Sequence, residues 1–409
     1  MSMKNLYTTL FTVVFMFSLF RAGAQFTLSG EFRPRTEFAH GYKTLAAANQ
    51  EWSAFTGQRT RLNALYSSSG VNVKLVLQDV RIWGSQPQLV TNEDYATSVH
   101  EAWAEVFLAE NVSLKAGRQE LVYDDHRIFG NVGWAHQARS HDIAILKFED
   151  NFKFHFGIAH HENANYTNDL YTGPDAYKNL QFGWFNKTWN MNSISLLILN
   201  NGVPMMNSNE QVTKYSQTLG GRITTSFDPL NLAANVYYQT GNHFSGKNIS
   251  ALNFRMEAGL NNGLSAGYEY LSGNSYDKNE KVYAFTPFYG TNHKFNGFMD
   301  YFFVGNHINS VGLQDAFLNY TFSVNKFTLK SALHYFASAG DINPTADKYL
   351  GTELDLTFSY KVQNSAVISA GWSTMFAGES MEELKGGDRT SGNHWAYIML
   401  SVTPTFIKQ

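Results

Sequence analysis

The chain has 409 residues and no cysteine, and its charges nearly balance, with Lys+Arg 31 against Asp+Glu 34. That excludes a disulfide framework, a thiol nucleophile and a cysteine-ligated metal, and it lacks the basic excess of a nucleic-acid binder. Aromatics reach 15% and charged residues only 16%, a balance that suits a wall with one face in lipid and the other in water.

In chain order, Lys4 comes first, then the apolar stretch Leu6 to Phe20, which is too short for a spanning helix of about 20 residues. Ala22-Gly23-Ala24 follows as a small-residue cleavage pattern. Residues 1–24 are therefore expected to be a cleaved Sec-type signal peptide, and 25–409 a single domain. Beyond Gln25 no apolar run approaches the length of a membrane helix, so any membrane is crossed by strands.

From Phe26 the period is two. Phe26, Leu28, Phe32 and Phe38 share one face, while Glu31, Arg33, Arg35 and Glu37 share the other. Arg59 and Arg61 share a face in the next segment. Val71, Val73, Leu75 and Leu77 alternate with Asn72 and Lys74, and Ala102, Ala104, Val106 and Leu108 alternate with Glu101, Trp103 and Glu105. Later, Leu252, Phe254 and Met256 alternate with Asn253, Arg255 and Glu257. Leu350, Leu354, Leu356 and Phe358 alternate with Glu353 and Asp355.

About 18 such segments can be marked, with sixteen left open because boundaries carry about two to four residues of error. Short turns at Gly70, Glu110, Asp150-Asn151, Asn190, Asp228-Pro229, Asn261-Asn262, Asn325 and Gln363 alternate with long gaps. The longest gaps are 39–55, 84–98, 121–140, 162–177, 201–214, 274–312 and 377–393. The expected fold is all-β: a transmembrane antiparallel up-and-down barrel with short periplasmic turns and long extracellular loops.

The richest stretch runs from Gly117 to Asp142, around the long 121–140 gap. It holds Gly117-Arg118-Gln119-Glu120-Leu121, Asp125-His126-Arg127, Gly130, Trp134 and Arg139. Such polar density beside a water-filled lumen is expected to fold inward as a constriction held by Arg–carboxylate pairs. Together with Tyr289-Gly290-Thr291-Asn292-His293-Lys294-Phe295, Gly297 to Phe302, and Leu350 to Leu356, this stretch resembles the alginate-export family of outer-membrane barrels, in its Bacteroidetes form. The resemblance spans the mature chain and departs from the family pattern at Asp124, His141 and Ile143. It implies an 18-stranded barrel with a polar, arginine-containing pore.

Other motifs carry less. Neighbouring strand residues point to opposite faces, so neither His160-His161 nor His100-Glu101 is expected to close on one metal ion. Glu101 and Glu105 lie about 13 Å apart by strand rise, too far for a glycosidase pair. Gly259 to Gly267 opens no helix that would cradle phosphate.

The reading is a monomeric channel in the outer membrane of a Gram-negative bacterium, without cofactor. It sits in lipid and passes hydrophilic solutes passively, with anionic sugars or oligosaccharides as the expected class. The expected pore lining is Arg33, Arg35, Arg59, Arg61, Arg118, Arg127, Arg139 and Arg255, with Glu31, Glu101, Glu105, Asp142, Glu353 and Asp355 as partial neutralisers. Arg118, Arg127 and Arg139 are expected at the narrowest point. Two alternatives stay open: a non-conducting adhesin or structural barrel, and a barrel enzyme such as a phospholipase.

Overall fold

The computed structural model describes residues 24–86, 88, 97–162, 177–207 and 210–409. The signal-peptide reading lies outside these residues except for Ala24. Eighteen antiparallel strands close into a barrel. The first six are β1 (Gln25–His40), β2 (Ser53–Ser67), β3 (Val71–Ile82), β4 (Thr97–Ala109), β5 (Val112–Gln119) and β6 (His141–Glu149). Next come β7 (Lys153–His160), β8 (Asn179–Trp189), β9 (Asn192–Asn207), β10 (Glu210–Phe227), β11 (Leu230–Gly241) and β12 (Ala251–Leu260). The last are β13 (Leu264–Leu271), β14 (Leu313–Val324), β15 (Phe327–Ala337), β16 (Tyr349–Gln363), β17 (Ala366–Ala377) and β18 (Asn393–Val402), which resumes at Thr405–Lys408.

Each strand pairs with the next, and β1 closes the ring against β18, from His40 opposite His394 down to Thr27 opposite Lys408. Closure removes the free edges that lipid could not satisfy. The outer face carries exposed Leu62, Val73, Leu75, Leu114, Leu146, Ile198, Met256 and Ile398. An apolar belt this broad belongs in acyl chains. Short turns gather at one rim and long connections at the other.

Three departures from plain alternation matter. A bulge in β4 sets Val76 opposite Glu101 and Leu77 opposite Val99, so His100 is the extra residue. Both His100 and Glu101 are consequently buried inside, at 4% and 5% exposure, against the expectation that they part to opposite faces. A second bulge, opposite Phe336/Ala337, turns Leu350 inward to full burial rather than into lipid.

The third departure is the 201–214 gap, which is strand on both sides. β9 and β10 run on together from Gly202 opposite Tyr215 to Asn207 opposite Glu210. Pro204 lies within this extension of β9. Here it sits beyond Gly202, the last β9 residue paired with β8, on an edge where a missing N–H is tolerated.

The interior is not a plain aqueous bore. On β6, β8 and β9 the inward side chains are Ile143, Ile145, Leu180, Phe182, Trp184, Leu197 and Leu199, all buried. They hold Tyr123, Ile128 and Phe129 of the long connection between β5 and β6.

Candidate functional site

The β5–β6 connection, residues 120–140, crosses the lumen and ties opposite walls together. On the β1–β2 side, Arg33 lies opposite Arg59 in register, with both side chains inward. Arg33 Nη1 donates to Gly133 O at 2.7 Å, and Nη2 donates to Trp134 O and Ala135 O at 3.1 Å each. Arg35 Nη1 donates to Trp134 O at 2.8 Å and Arg59 Nη1 to Ala135 O at 3.2 Å. Val132 and Ala138 adopt positive φ, so the chain turns tightly here and its carbonyls have no ladder partners. Guanidinium forks supply the missing donors.

Carboxylates balance these cations. Arg59 meets Glu31 at 2.6 Å, Arg35 meets Glu37 at 2.8 Å, and Arg61 Nε donates to Gln78 at 2.7 Å. Arg33, Arg35 and Arg59 are therefore buried, at 4–7% exposure. These wall arginines were expected to face solute. Arg33 and Arg59 anchor the loop instead, and Arg35 does so while also bordering the cavity above it.

The far end of the loop grips the wall about half-way round the ring. Arg127 Nε lies 2.7 Å from Glu269 on β13, both side chains 1% exposed. Asp125 meets Arg222 of β10 at 2.8 Å and accepts from Asn235 of β11 at 2.6 Å. Burial pushes the Asp125 carboxyl up, but Arg222 and the Asn235 amide outweigh it and hold the group below the usual carboxylate range.

The connection between β13 and β14, residues 272–312, folds in beside the first loop. Gly130 N donates to Tyr289 O at 2.9 Å and Thr291 N to His126 O at 3.0 Å. A side chain at Gly290 would strike the Arg127 carbonyl at 2.2 Å, so the close approach of the two loops requires glycine there. Met299 N donates to Glu353 at 2.7 Å and Phe298 N to Asp355 at 3.3 Å. Glu353 and Asp355 do point inward, but they receive loop amides rather than line open water.

The remaining expected residues divide. Glu101 pairs with Lys74 at 2.6 Å and Glu105 with Lys147 at 2.8 Å on the inner wall. Arg255 also faces inward, 3.1 Å from Glu257 and over the Phe317 ring at 4.5 Å. Arg118 and Asp142 do not line the lumen. Arg118 lies opposite Ala102 in register and shares the outer face of β5 with exposed Leu114. It meets Asp142 at 2.8 Å on that face. The alternation carried by Gln119 and Ser113, both buried, fixes this orientation.

Above the crossing loops, towards the long-loop rim, lies a cavity of about 760 Å³. Arg35, Lys43 and Arg139 line it against Glu37 and Asp300, three cations to two carboxylates. Arg81 also borders the cavity, but its guanidinium pairs with Asp79 at 2.5 Å on the outer side of β3. Trp134 is sandwiched there between His293, stacked at 4.6 Å, and the Arg35 guanidinium at 4.0 Å. Phe55 and Tyr42 add further rings. Asp300 accepts from Tyr42 at 2.6 Å and meets His293 at 3.0 Å. Among the described residues, no carboxylate lies within ion-pair distance of Lys43. Sequence reasoning missed Lys43 because a lysine in a long loop carries no signal until the loop is seen to fold over the lumen.

A closed eighteen-strand barrel with two connections folded across its lumen is the architecture of an outer-membrane channel. Solved barrels from Pseudomonas aeruginosa share it. OccK9 (OpdG) superposes with a TM-score of 0.61 at 14% identity, over 93% of this chain and 98% of that one. OccK11 (OpdR) gives 0.59 at 13% identity, over 94% and 96%. OccK8 (OprE) gives 0.60 at 11% identity, over 93% and 98%. The chain belongs to the alginate export family, whose model matches residues 24–396. No curated protein matches it in sequence. Family and fold make it an outer-membrane transport channel.

Proposed function

We propose that this channel, acting as a monomer without cofactor, passes anionic saccharides passively, with the cavity above the crossing loops as its selective step. The observation that carries this reading is the cavity lining, three cations to two carboxylates with the exposed Phe55 ring beside them. Sugar rings stack their C–H faces on aromatic side chains, and a guanidinium meets a carboxylate with two parallel donors. A narrow passage with low-dielectric walls magnifies a small excess of charge. Arg33 and Arg59 serve selectivity indirectly, by fixing the loop that shapes the passage.

One observation favours a second reading, a barrel closed at rest. The first crossing loop is tied by buried contacts to opposite walls, at Arg127–Glu269 and Arg33–Gly133, and the second is held to β16 at Met299–Glu353. Single-channel recording separates the two. A conducting channel whose current is blocked by an acidic oligouronate, and not by a neutral oligosaccharide of equal length, supports the proposal. A silent barrel, or equal block by both sugars, contradicts it.

A further inference from the structure

Within the first crossing loop, residues 132–138 form a compact finger that reaches the β1–β2 wall. Its base is closed by Arg139 N, which donates to Asn131 O at 2.8 Å. Its tip turns the carbonyls of Gly133, Trp134, Ala135 and His136 towards Arg33, Arg35 and Arg59, which donate to them at 2.7 to 3.5 Å. Gln78 Nε2 adds a bond to Gln137 O at 3.0 Å.

This contact is held under strain and with mismatched partners. A guanidinium fork is best matched by a carboxylate, in charge-assisted bonds about twice as strong as those to a neutral acceptor. Yet Arg33 comes no closer to a carboxylate than Glu31 at 3.9 Å, and Glu31 is taken by Arg59 at 2.6 Å. Arg33 Nε is buried and, among the described residues, has no hydrogen-bond partner. His136 is wedged against Gly57, where a Cβ would meet its Nε2 at 2.5 Å, and neither of its ring nitrogens has a partner among the described residues. The two ends of the finger are Val132 at φ 49° and Ala138 at φ 53°. Positive φ is a true outlier for a β-branched residue. Such strain persists only where the surrounding contacts enforce it, and it collects in segments that switch.

We infer that the finger is an autoinhibitory plug: its carbonyls occupy a carboxylate site made by Arg33, Arg35 and Arg59, and an acidic saccharide displaces it by taking those guanidiniums. This rests on the saccharide reading above and adds a second state to it. Solute in the 760 Å³ cavity meets Arg35 first, since Arg35, Val132, Trp134 and His136 border that cavity and Arg33 and Arg59 do not. A carboxylate there competes with Trp134 O for Arg35 Nη1. The displaced carbonyls pass to lumen water, and Val132 and Ala138 relax. The movement stays local, because the Arg127–Glu269 and Asp125–Arg222 pairs hold the rest of the loop. A ligand shifts a two-state equilibrium only through its preference for one state. Here the preference comes from donors that are spent while the finger is seated and free once it has left.

The probe is trigalacturonate, added to the folded full-length barrel in detergent, with maltotriose as the neutral control. Calorimetry reads binding, and amide hydrogen exchange in peptides covering 132–138 reads the finger. Saturating trigalacturonate should speed exchange there about tenfold or more, while maltotriose leaves it unchanged. Arg33→Gln removes the guanidinium that holds Gly133, Trp134 and Ala135, so its finger should exchange faster with no saccharide present. Val132→Asn touches no arginine and relieves the strain of the seated state, because asparagine tolerates positive φ. It should raise the trigalacturonate concentration for half-maximal exchange about fivefold or more. Heat-modifiable migration on gels reports that each variant is folded. Trigalacturonate that binds the wild type, yet slows exchange in the finger or leaves it unchanged, overturns the inference and leaves the saccharide reading standing. So does wild-type exchange in the folded Arg33→Gln barrel, or a Val132→Asn barrel that responds at the wild-type concentration. Absence of trigalacturonate binding overturns both.

Discussion

The Arg127–Glu269 pair offers the sharpest perturbation of the crossing loop. Both side chains are 1% exposed, and Nε lies 2.7 Å from Oε1, off the hydrogen-bonding direction. Among the described residues, Glu269 otherwise accepts from the amides of Asn253 and Asn296, each at 2.9 Å. Arg127→Met therefore leaves a buried carboxylate with neutral donors alone, a situation that costs about 3–5 kcal/mol. It also forfeits the stacking of the guanidinium on Phe295 at 4.7 Å, worth about 0.5–2 kcal/mol. Glu269→Leu strands the arginine and should cost a similar amount. The double variant removes both charges and should return to within about 1–2 kcal/mol of wild type, because apolar replacement of a buried pair is often neutral. Urea unfolding in lipid vesicles, followed by tryptophan fluorescence, measures all four corners of the cycle. Each single variant should also raise channel conductance by releasing one end of the loop. Single variants that cost less than about 1 kcal/mol, or a double variant equal to their sum, would refute the claim that this pair staples the loop across the lumen.

Other outcomes follow from the same geometry. Phe254→Arg, on the lipid face near mid-height, should cost about 2–4 kcal/mol, whereas Asn72→Arg on the inner wall should cost far less; equal penalties in vesicle refolding would reverse the facing. Burial, together with Arg35, Arg33 and Arg59, pulls the His136 imidazole down from 6.5 to about 3. The folded protein then resists a proton that the unfolded chain accepts, so stability should fall as pH drops from about 6.5 towards 3. His136→Gln should flatten that slope in urea midpoints taken at pH 7.5 and 5. Arg118→Ala and Asp142→Ala remove an ion pair on the outer face and should leave the ion permeability ratio unchanged, while Arg139→Ala should shift it towards cations.

The barrel itself was legible because a wall between lipid and water writes its period into every strand. Leu62 and Arg61, or Met256 and Arg255, declare their faces with no further context. The strand frame failed where an inserted residue shifts the phase, as at His100 and Leu350, since a bulge has no sequence mark at those positions. The site was legible only in part. The 117–142 stretch announced an inward loop through its arginines, yet the partners of Arg33, Arg35 and Arg59 are backbone carbonyls, which no side-chain pattern encodes. Arg118 looked like a loop residue because its strand had been placed without a register, and one pleat decides between lumen and lipid. The apolar inner sector carries a sign of its own. Ile143-Ala144-Ile145-Leu146 and Leu196-Leu197-Ile198-Leu199 are apolar on both faces, the mark of strands covered on both sides.

The central claim is that the cavity above the crossing loops selects for anions. The reversal potential of the wild-type channel across a planar bilayer, in a potassium chloride gradient at neutral pH, tests it most directly. The account predicts a potential of the sign set by chloride, moving towards the potassium value in Arg139→Ala and further in Arg139→Ala/Lys43→Ala. A wild-type channel that already follows potassium, and that neither substitution moves, would contradict it.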